Sequence, residues 1–387
     1  MSYSIQFGTI ESYAIYISTI FMATFYASLS RNIQFKTRSS GKKLNWMFLM
    51  LSFLTLAIPL IFRESGVDND GYMQIYNDIA NWRNGILQNY RGFPEPLFML
   101  LNYIIIMTVN NFQLVYILSG IISLLFMYKA LSKKNDELNF ALLIWMFGFS
   151  LYFYMYGLVR LLIAVSIMTY ALSYLEIKNI RKFISWGIIA GLFHYSAFVI
   201  IPVFILISKI SMNSTKKFNF IKSAATSILL IPGIFIISIQ IFVKMFSNFS
   251  WFGRYHKYLA IDTISFPVLK NIVWILPILV ILIVYGSYFE KRVRYFKFHA
   301  NLLFAMISFA ILGVFFGVQR LIYFMYPSCF YLYASVLKLP FSIKEQKIIK
   351  LFFWIGMVIL GLFWLVVVIL GGDNWKPHMI PYRFYIR

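Results

Sequence analysis

The chain has 387 residues, of which 61% are apolar, 20% aromatic and only 12% charged. A soluble domain carries about 25% charged residues, so an ordinary cytosolic enzyme, a disordered tail and a disulfide scaffold are excluded. Lys and Arg number 35 against 13 Asp and Glu, a net charge of +22; on long apolar runs this excess marks loops facing anionic lipid rather than nucleic-acid binding. The one cysteine, Cys329, lies in an apolar run, so no internal disulfide and no cysteine metal site can form.

Residues 1–10 contain no Lys or Arg, so the basic start of a secretory signal peptide is missing and the first helix is expected to stay in the mature protein. Apolar runs of membrane length predict spans at 11–29, 44–62, 112–128, 139–156, 161–177, 223–247, 271–289, 299–316, 321–337 and 351–370. Two further stretches are ambiguous: 96–109 is short, and 183–207 is interrupted by His194, Tyr195 and Ser196. Lys and Arg in short loops prefer the cytoplasm. If both stretches cross, the two sides carry nearly equal positive charge; if both re-enter, the inside carries about twice as much as the outside. The expected fold is therefore an all-α polytopic integral membrane protein, a single transmembrane domain over 1–387. It has about ten full spans plus two re-entrant segments, up to twelve spans if both cross, with both termini outside and a GT-C-like bundle as one arrangement. Re-entrant segments persist only where buried in protein or lining a water-filled cavity, so they are expected to mark the cavity.

Three external segments follow: 63–95, 248–270 and the tail 371–387. The first holds Glu64, Asp68, Asp70, Asp78 and Glu95, five of the chain's thirteen acids, so chemistry is expected to face outward. Arg63, Asp68, Asp70, Tyr72 and Tyr76 combine carboxylates, a guanidinium and rings just beyond a helix end, which suits a sugar; a solvated loop with its charges in water is the plainer alternative. Asp68-x-Asp70-Gly71 has the opening of a calcium loop but not the remaining pattern, so calcium is discounted. Glu95, between Pro94 and Pro96, is either a partly desolvated carboxyl suited to proton transfer or a helix-start residue complementing the dipole.

Gly157-x-x-Arg160-Leu161 and Gly317-x-x-Arg320-Leu321 share one pattern between apolar spans. Arginine near hydrocarbon seldom lacks an anionic partner, and its fork matches phosphate oxygens. The pair could clamp a diphosphate, or snorkel to headgroups. His194 falls near mid-membrane if its stretch is one helix; it is a structural histidine satisfied by Ser196, or a proton acceptor or donor to substrate. Arg254, within Arg254-Tyr255-His256-Lys257-Tyr258, suits a phosphate or sugar, or an interfacial belt. Walker A, dinucleotide, zinc-protease and nucleophile-elbow motifs are absent, so neither a cofactor nor a metal is expected.

Taken in order, Arg63, Asp68-x-Asp70-x-Tyr72, Tyr76, Glu95-Pro96-Leu-Phe98, Arg160, His194-Tyr-Ser196, Arg254-Tyr255 and Pro381-Tyr382-Arg383-Phe384 resemble the EpsG/Wzy-type family of capsular, exopolysaccharide and O-antigen polymerases. The resemblance implies a glycosyltransferase of the bacterial cytoplasmic membrane that joins undecaprenyl-diphosphate-linked oligosaccharide units at the outer face. Undecaprenyl diphosphate would be the leaving group. On that chemistry, our hypothesis for the residues sets Arg160 and Arg320 on the donor diphosphate, with Glu95, Asp68, Asp70 or His194 as base, and Arg63, Tyr72 and Arg254 holding sugar or phosphate. Membrane lipids, a flippase and a chain-length regulator are the expected partners, and no nucleic acid. The alternatives are a flippase or transporter for the same lipid-linked units and an O-antigen-ligase-like transferase.

Overall fold

The computed structural model describes residues 3–32, 44–64, 66–83, 95–212, 217–228, 233, 237, 269–315, 319–339, 343–369, 376–380 and 382–386. The first helices are α1 (Thr9–Asn32), α2 (Trp46–Ile61), α3 (Asn69–Arg83), α4 (Pro96–Thr108), α5 (Gln113–Ser132), α6 (Phe140–Phe147), α7 (Val159–Glu176), α8 (Ile180–Phe193) and α9 (Ser196–Met212). After a helical segment over 220–228 come α10 (Leu269–Arg292), α11 (Phe296–Phe315), α12 (Tyr326–Ser335), α13 (Ile343–Phe363) and the short α14 (Lys376–Met379).

Among these residues four helices are long and apolar enough to cross a bilayer: Thr9–Arg31, Gln113–Ser132, Val159–Glu176 and Trp274–Arg292. Six other apolar helices are 10–17 residues long, so the described helices do not by themselves establish ten full spans. Leu351, Phe352 and Ile359 of α13 and Ile283 and Val284 of α10 are exposed apolar side chains, a surface that bilayer rather than water covers. The fold is that of an α-helical membrane protein. Most of the expected span 223–247, with Lys244, lies outside the described residues.

Side-chain contacts give the direction of each helix. Ser52 of α2 donates to the Ala23 carbonyl of α1 and bonds Tyr128 of α5 at 2.8 Å, while Gln113, which opens α5, donates to the Ile61 carbonyl that closes α2. So α2 and α5 run antiparallel, and everything between them leaves and returns at one end of the bundle. Both ends of α4 meet α3: Phe98 packs on Tyr72, and Tyr76 donates to Asn110 at 3.0 Å. At about 1.5 Å per residue its thirteen residues extend only ~20 Å. This is the path expected for a segment that re-enters.

The second ambiguous stretch is a helical hairpin. Gly191 faces Phe198, Gly187 faces Ile201 and Phe183 packs on Phe204, so α8 and α9 are antiparallel with His194 and Tyr195 at the tip. His194 breaks the run by taking extended backbone (φ −156°, ψ 116°). Because Trp186 of α8 packs on Tyr170 of α7 and Lys182 lies over Tyr174, α8 climbs antiparallel to α7 and its tip reaches the Arg160 end. The mid-membrane depth expected for His194 is thereby corrected: the stretch is not one helix, and the residue stands level with Arg160.

Residues 140–157 are buried throughout, as befits a helix enclosed by protein. The expected single helix is interrupted: α6 passes at Gly148 into a π-helical turn (Gly148–Tyr152) and then a 3-10 turn (Phe153–Tyr156). The change falls where α1 approaches closely, since a Cβ on Gly148 would lie 2.7 Å from Ile20.

The chain is not wholly helical. β1 (Tyr3–Gln6) pairs antiparallel with β2 (Arg383–Ile386). Glu64 N–H donates to the Arg383 carbonyl at 3.0 Å and Tyr385 N–H to the Phe62 carbonyl at 2.7 Å. Both chain ends and the start of the 63–95 segment therefore share one end of the bundle. Within that segment, Asn69–Arg83 form the helix α3.

Gly191→Leu should lower stability by about 1–3 kcal/mol, because its new side chain overpacks the hairpin against Phe198. Gly356→Ala, with nothing within 4 Å of its Cβ position, should leave the thermal unfolding midpoint in detergent unchanged or slightly raised.

Candidate active site

Three pieces of chain converge at the Arg160 end. The start of α3 supplies Asp68 and Tyr72, the start of α7 supplies Arg160, and the hairpin tip supplies His194. A 3-10 turn over Gln319–Phe324 adds Arg320, seated by Tyr323 against Tyr154 (ring centroids 4.6 Å apart). Asp68, Tyr72, Arg160, His194 and Arg320, with Val67, Gly71, Ile75, Leu158 and Leu161, line a cavity of about 280 Å³. Asp68 is its one carboxylate among the described residues.

Arg160 occupies the first turn of α7, where its charge opposes the helix dipole. It is answered by Glu95, whose Oε2 accepts from the guanidinium at 2.5 Å. The rings of Tyr72 and Phe98 each lie 5.7 Å from the guanidinium carbon, the spacing of a cation–π contact. Glu95 is 1% exposed and its side chain makes no cap to α4. Burial alone would raise its carboxyl, but the Arg160 guanidinium outweighs burial and holds it below the ordinary carboxylate range. It is thus an ionised partner for Arg160 and is not among the cavity-lining residues. Burial pushes the Tyr72 phenol above its usual value, against the pull of Arg160, so it stays a neutral hydroxyl.

The hairpin tip orients His194. Nδ1 accepts from the Ser196 N–H at 3.3 Å and lies 3.0 Å from the Ser196 hydroxyl, with Glu95 Oε1 at 3.8 Å. An Nδ1 that accepts leaves the neutral ring's proton on Nε2. His194 in this tautomer is a donor, while Asp68 is an acceptor.

The structure does not bring every expected residue to the cavity. Arg63 is 1% exposed and faces away: it donates to the Leu60 and Met155 carbonyls at 2.6 and 3.0 Å and lies 4.4 Å over the Tyr116 ring and 5.0 Å over Tyr156. It ties α2 to the turn that precedes α7. Gly66 belongs to the same joint, since a Cβ there would strike the Tyr156 carbonyl. Asp70 is exposed and outside the cavity lining. Arg254 lies outside the described residues. Sequence reasoning missed the Glu95–Arg160 pair; the signal was an arginine in the first turn of an apolar helix with a lone acid beside another.

The EpsG family profile matches residues 46–384. The chain belongs to the EpsG family. No curated protein and no solved structure gives a significant match to it. EpsG family membership points to a function of the polysaccharide-polymerase kind, and the matched region contains all the cavity-lining residues.

Removing one partner of the buried pair leaves the other uncompensated, so Glu95→Ala and Arg160→Ala should each be strongly destabilising, by about 3–5 kcal/mol. The double variant should cost less than their sum, with a coupling of roughly 0.5–3 kcal/mol. Additive unfolding free energies would show that the two groups act independently.

Proposed function

We propose that this EpsG-family protein is a membrane polysaccharide polymerase, a glycosyltransferase that lengthens a glycan by transfer from an undecaprenyl diphosphate carrier at the outer face of the bacterial cytoplasmic membrane. The observation that carries the reading is the convergence of Arg160 and Arg320 with Asp68 in one cavity. The acceptor hydroxyl attacks the anomeric carbon of the donor glycan, and its proton passes to Asp68. As the new C–O bond forms, the bond to the diphosphate breaks and its electron pair leaves with the phosphate oxygen. Arg160 and Arg320 hold that charge where it develops, and His194 donates from Nε2. Tyr72 offers a ring and a hydroxyl to a sugar.

A volume of about 280 Å³ is near the lower bound of ligand pockets, about 300–1,000 Å³. It suits the diphosphate and the sugar beside it, with the lipid tail and the remaining glycan outside. Glu95 serves by positioning Arg160, and Arg63 by fixing the surrounding turn. Capsular material or exopolysaccharide is the expected product, with a flippase supplying the substrate and a chain-length regulator as a membrane partner.

With purified protein and synthetic lipid-linked repeat units, Asp68→Asn should lower kcat by about 10²–10⁴-fold with donor binding kept. Arg320→Ala should weaken donor binding by about ten- to a hundredfold, the loss of one charge-assisted contact. Full polymerisation by both variants would sink the reading.

Orientation has its own test. In intact cells a membrane-impermeant thiol reagent should label Asn77→Cys, exposed on α3, and not Asp136→Cys, exposed at the other end. The reverse pattern would put the cavity on the cytoplasmic side.

A further inference from the structure

A second cavity, of about 130 Å³, lies at the Glu176 end and takes no part in that reaction. It forms where the end of α9, the segment 217–228 and the start of α11 meet. Lys217, Lys222 and Lys297 line it, with Ser211 and Asn301. One carboxylate stands beside them: Glu290 pairs with Lys297 at 2.8 Å and accepts the Phe218 N–H at 2.8 Å. Among the described residues, three ammonium groups therefore stand with one acid, and Lys217 and Lys222 are exposed.

Asn301, 7% exposed, supplies a second observation. The Ser211 hydroxyl donates to the Ile207 carbonyl at 2.6 Å, so it accepts from the Asn301 amide nitrogen at 2.8 Å. That fixes the amide's orientation and ties α11 to α9 at the cavity wall. Beside the cavity, Ile210 and Ile221 are exposed apolar side chains, at 39% and 77%.

We infer that this cavity holds the headgroup of an anionic glycerophospholipid. The phosphodiester sits among Lys217, Lys222 and Lys297, where positive charge exceeds negative, and the acyl chains run over the exposed isoleucines. A choline headgroup would be disfavoured by ammonium repulsion, since its own cation would stand among the lysines. The inference is independent of the polymerase reading, because it uses none of the residues of the first cavity.

Native mass spectrometry of the full chain, released from vesicles of equal phosphatidylglycerol and phosphatidylcholine, tests it. The wild type should retain phosphatidylglycerol at least tenfold over phosphatidylcholine. Lys217→Ala/Lys222→Ala, both at exposed positions, should bring that ratio close to one with an unchanged thermal unfolding midpoint measured in lipid-free detergent. Lys182→Ala, at the same end but outside the cavity, should keep the wild-type ratio. A wild type without preference, or a double variant that keeps it, overturns the proposal. Displacement of the lipid by millimolar inorganic phosphate or glycerol phosphate would also overturn it, assigning the cavity to a free phosphate.

Discussion

A guanidinium carried into apolar surroundings on the first turn of a helix needs an anion, because both the low dielectric and the helix dipole work against it. Arg160 obtains one from Glu95, and the architecture of the Arg160 end follows from that bond. Glu95 stands at the start of α4, so α4 begins beside α7. Phe98, one turn into α4, and Tyr72 of α3 cover the guanidinium from two sides. The hairpin of α8 and α9 then brings His194 to the second carboxylate oxygen. A carboxylate already bonded to Arg160 is poorly suited to collecting protons, and among the described residues Asp68 is the one carboxylate of the cavity wall.

The opposite end of α7 is held by the same kind of bond. Glu176 pairs with Lys134 and its carboxylate accepts from His299 Nε2–H at 3.0 Å. His299 in turn meets Ser328 through Nδ1 at 3.0 Å and stacks on Tyr331 with ring centroids 3.9 Å apart. Buried pairs are weak contributors to net stability but costly to break. Placed at both ends of one helix, they fix its height against α4, α8, α11 and α12. Arg160 is thus anchored on a helix that cannot easily slide.

Composition and apolar periodicity made the α-helical membrane fold legible. The cavity residues Asp68, Tyr72, Arg160, His194 and Arg320 were also readable, because charged or aromatic side chains beside long apolar runs have few plain uses. What could not be read was partnership. Arg63 and Arg160 look alike in the sequence, each beside an apolar run and near tyrosines, yet one satisfies two backbone carbonyls and the other a carboxylate. Nothing local distinguishes them, since the Met155 carbonyl and Glu95 reach them only through tertiary packing. The mid-membrane depth for His194 assumed one helix through the interruption at His194–Ser196, where the chain instead turns back. The pairing of β1 with β2 joins residues from opposite ends of the chain, and no local pattern announces it.

Under the polymerase reading, the modest size of the Arg160-end chamber has a consequence for what the protein can sense. Only the junction being built fits between Asp68 and the two arginines, and sugars joined in earlier rounds lie beyond the walls. Such an enclosure answers to the bond and is blind to how many came before it. Any ceiling on product length has to be imposed elsewhere, by whatever grips the finished strand.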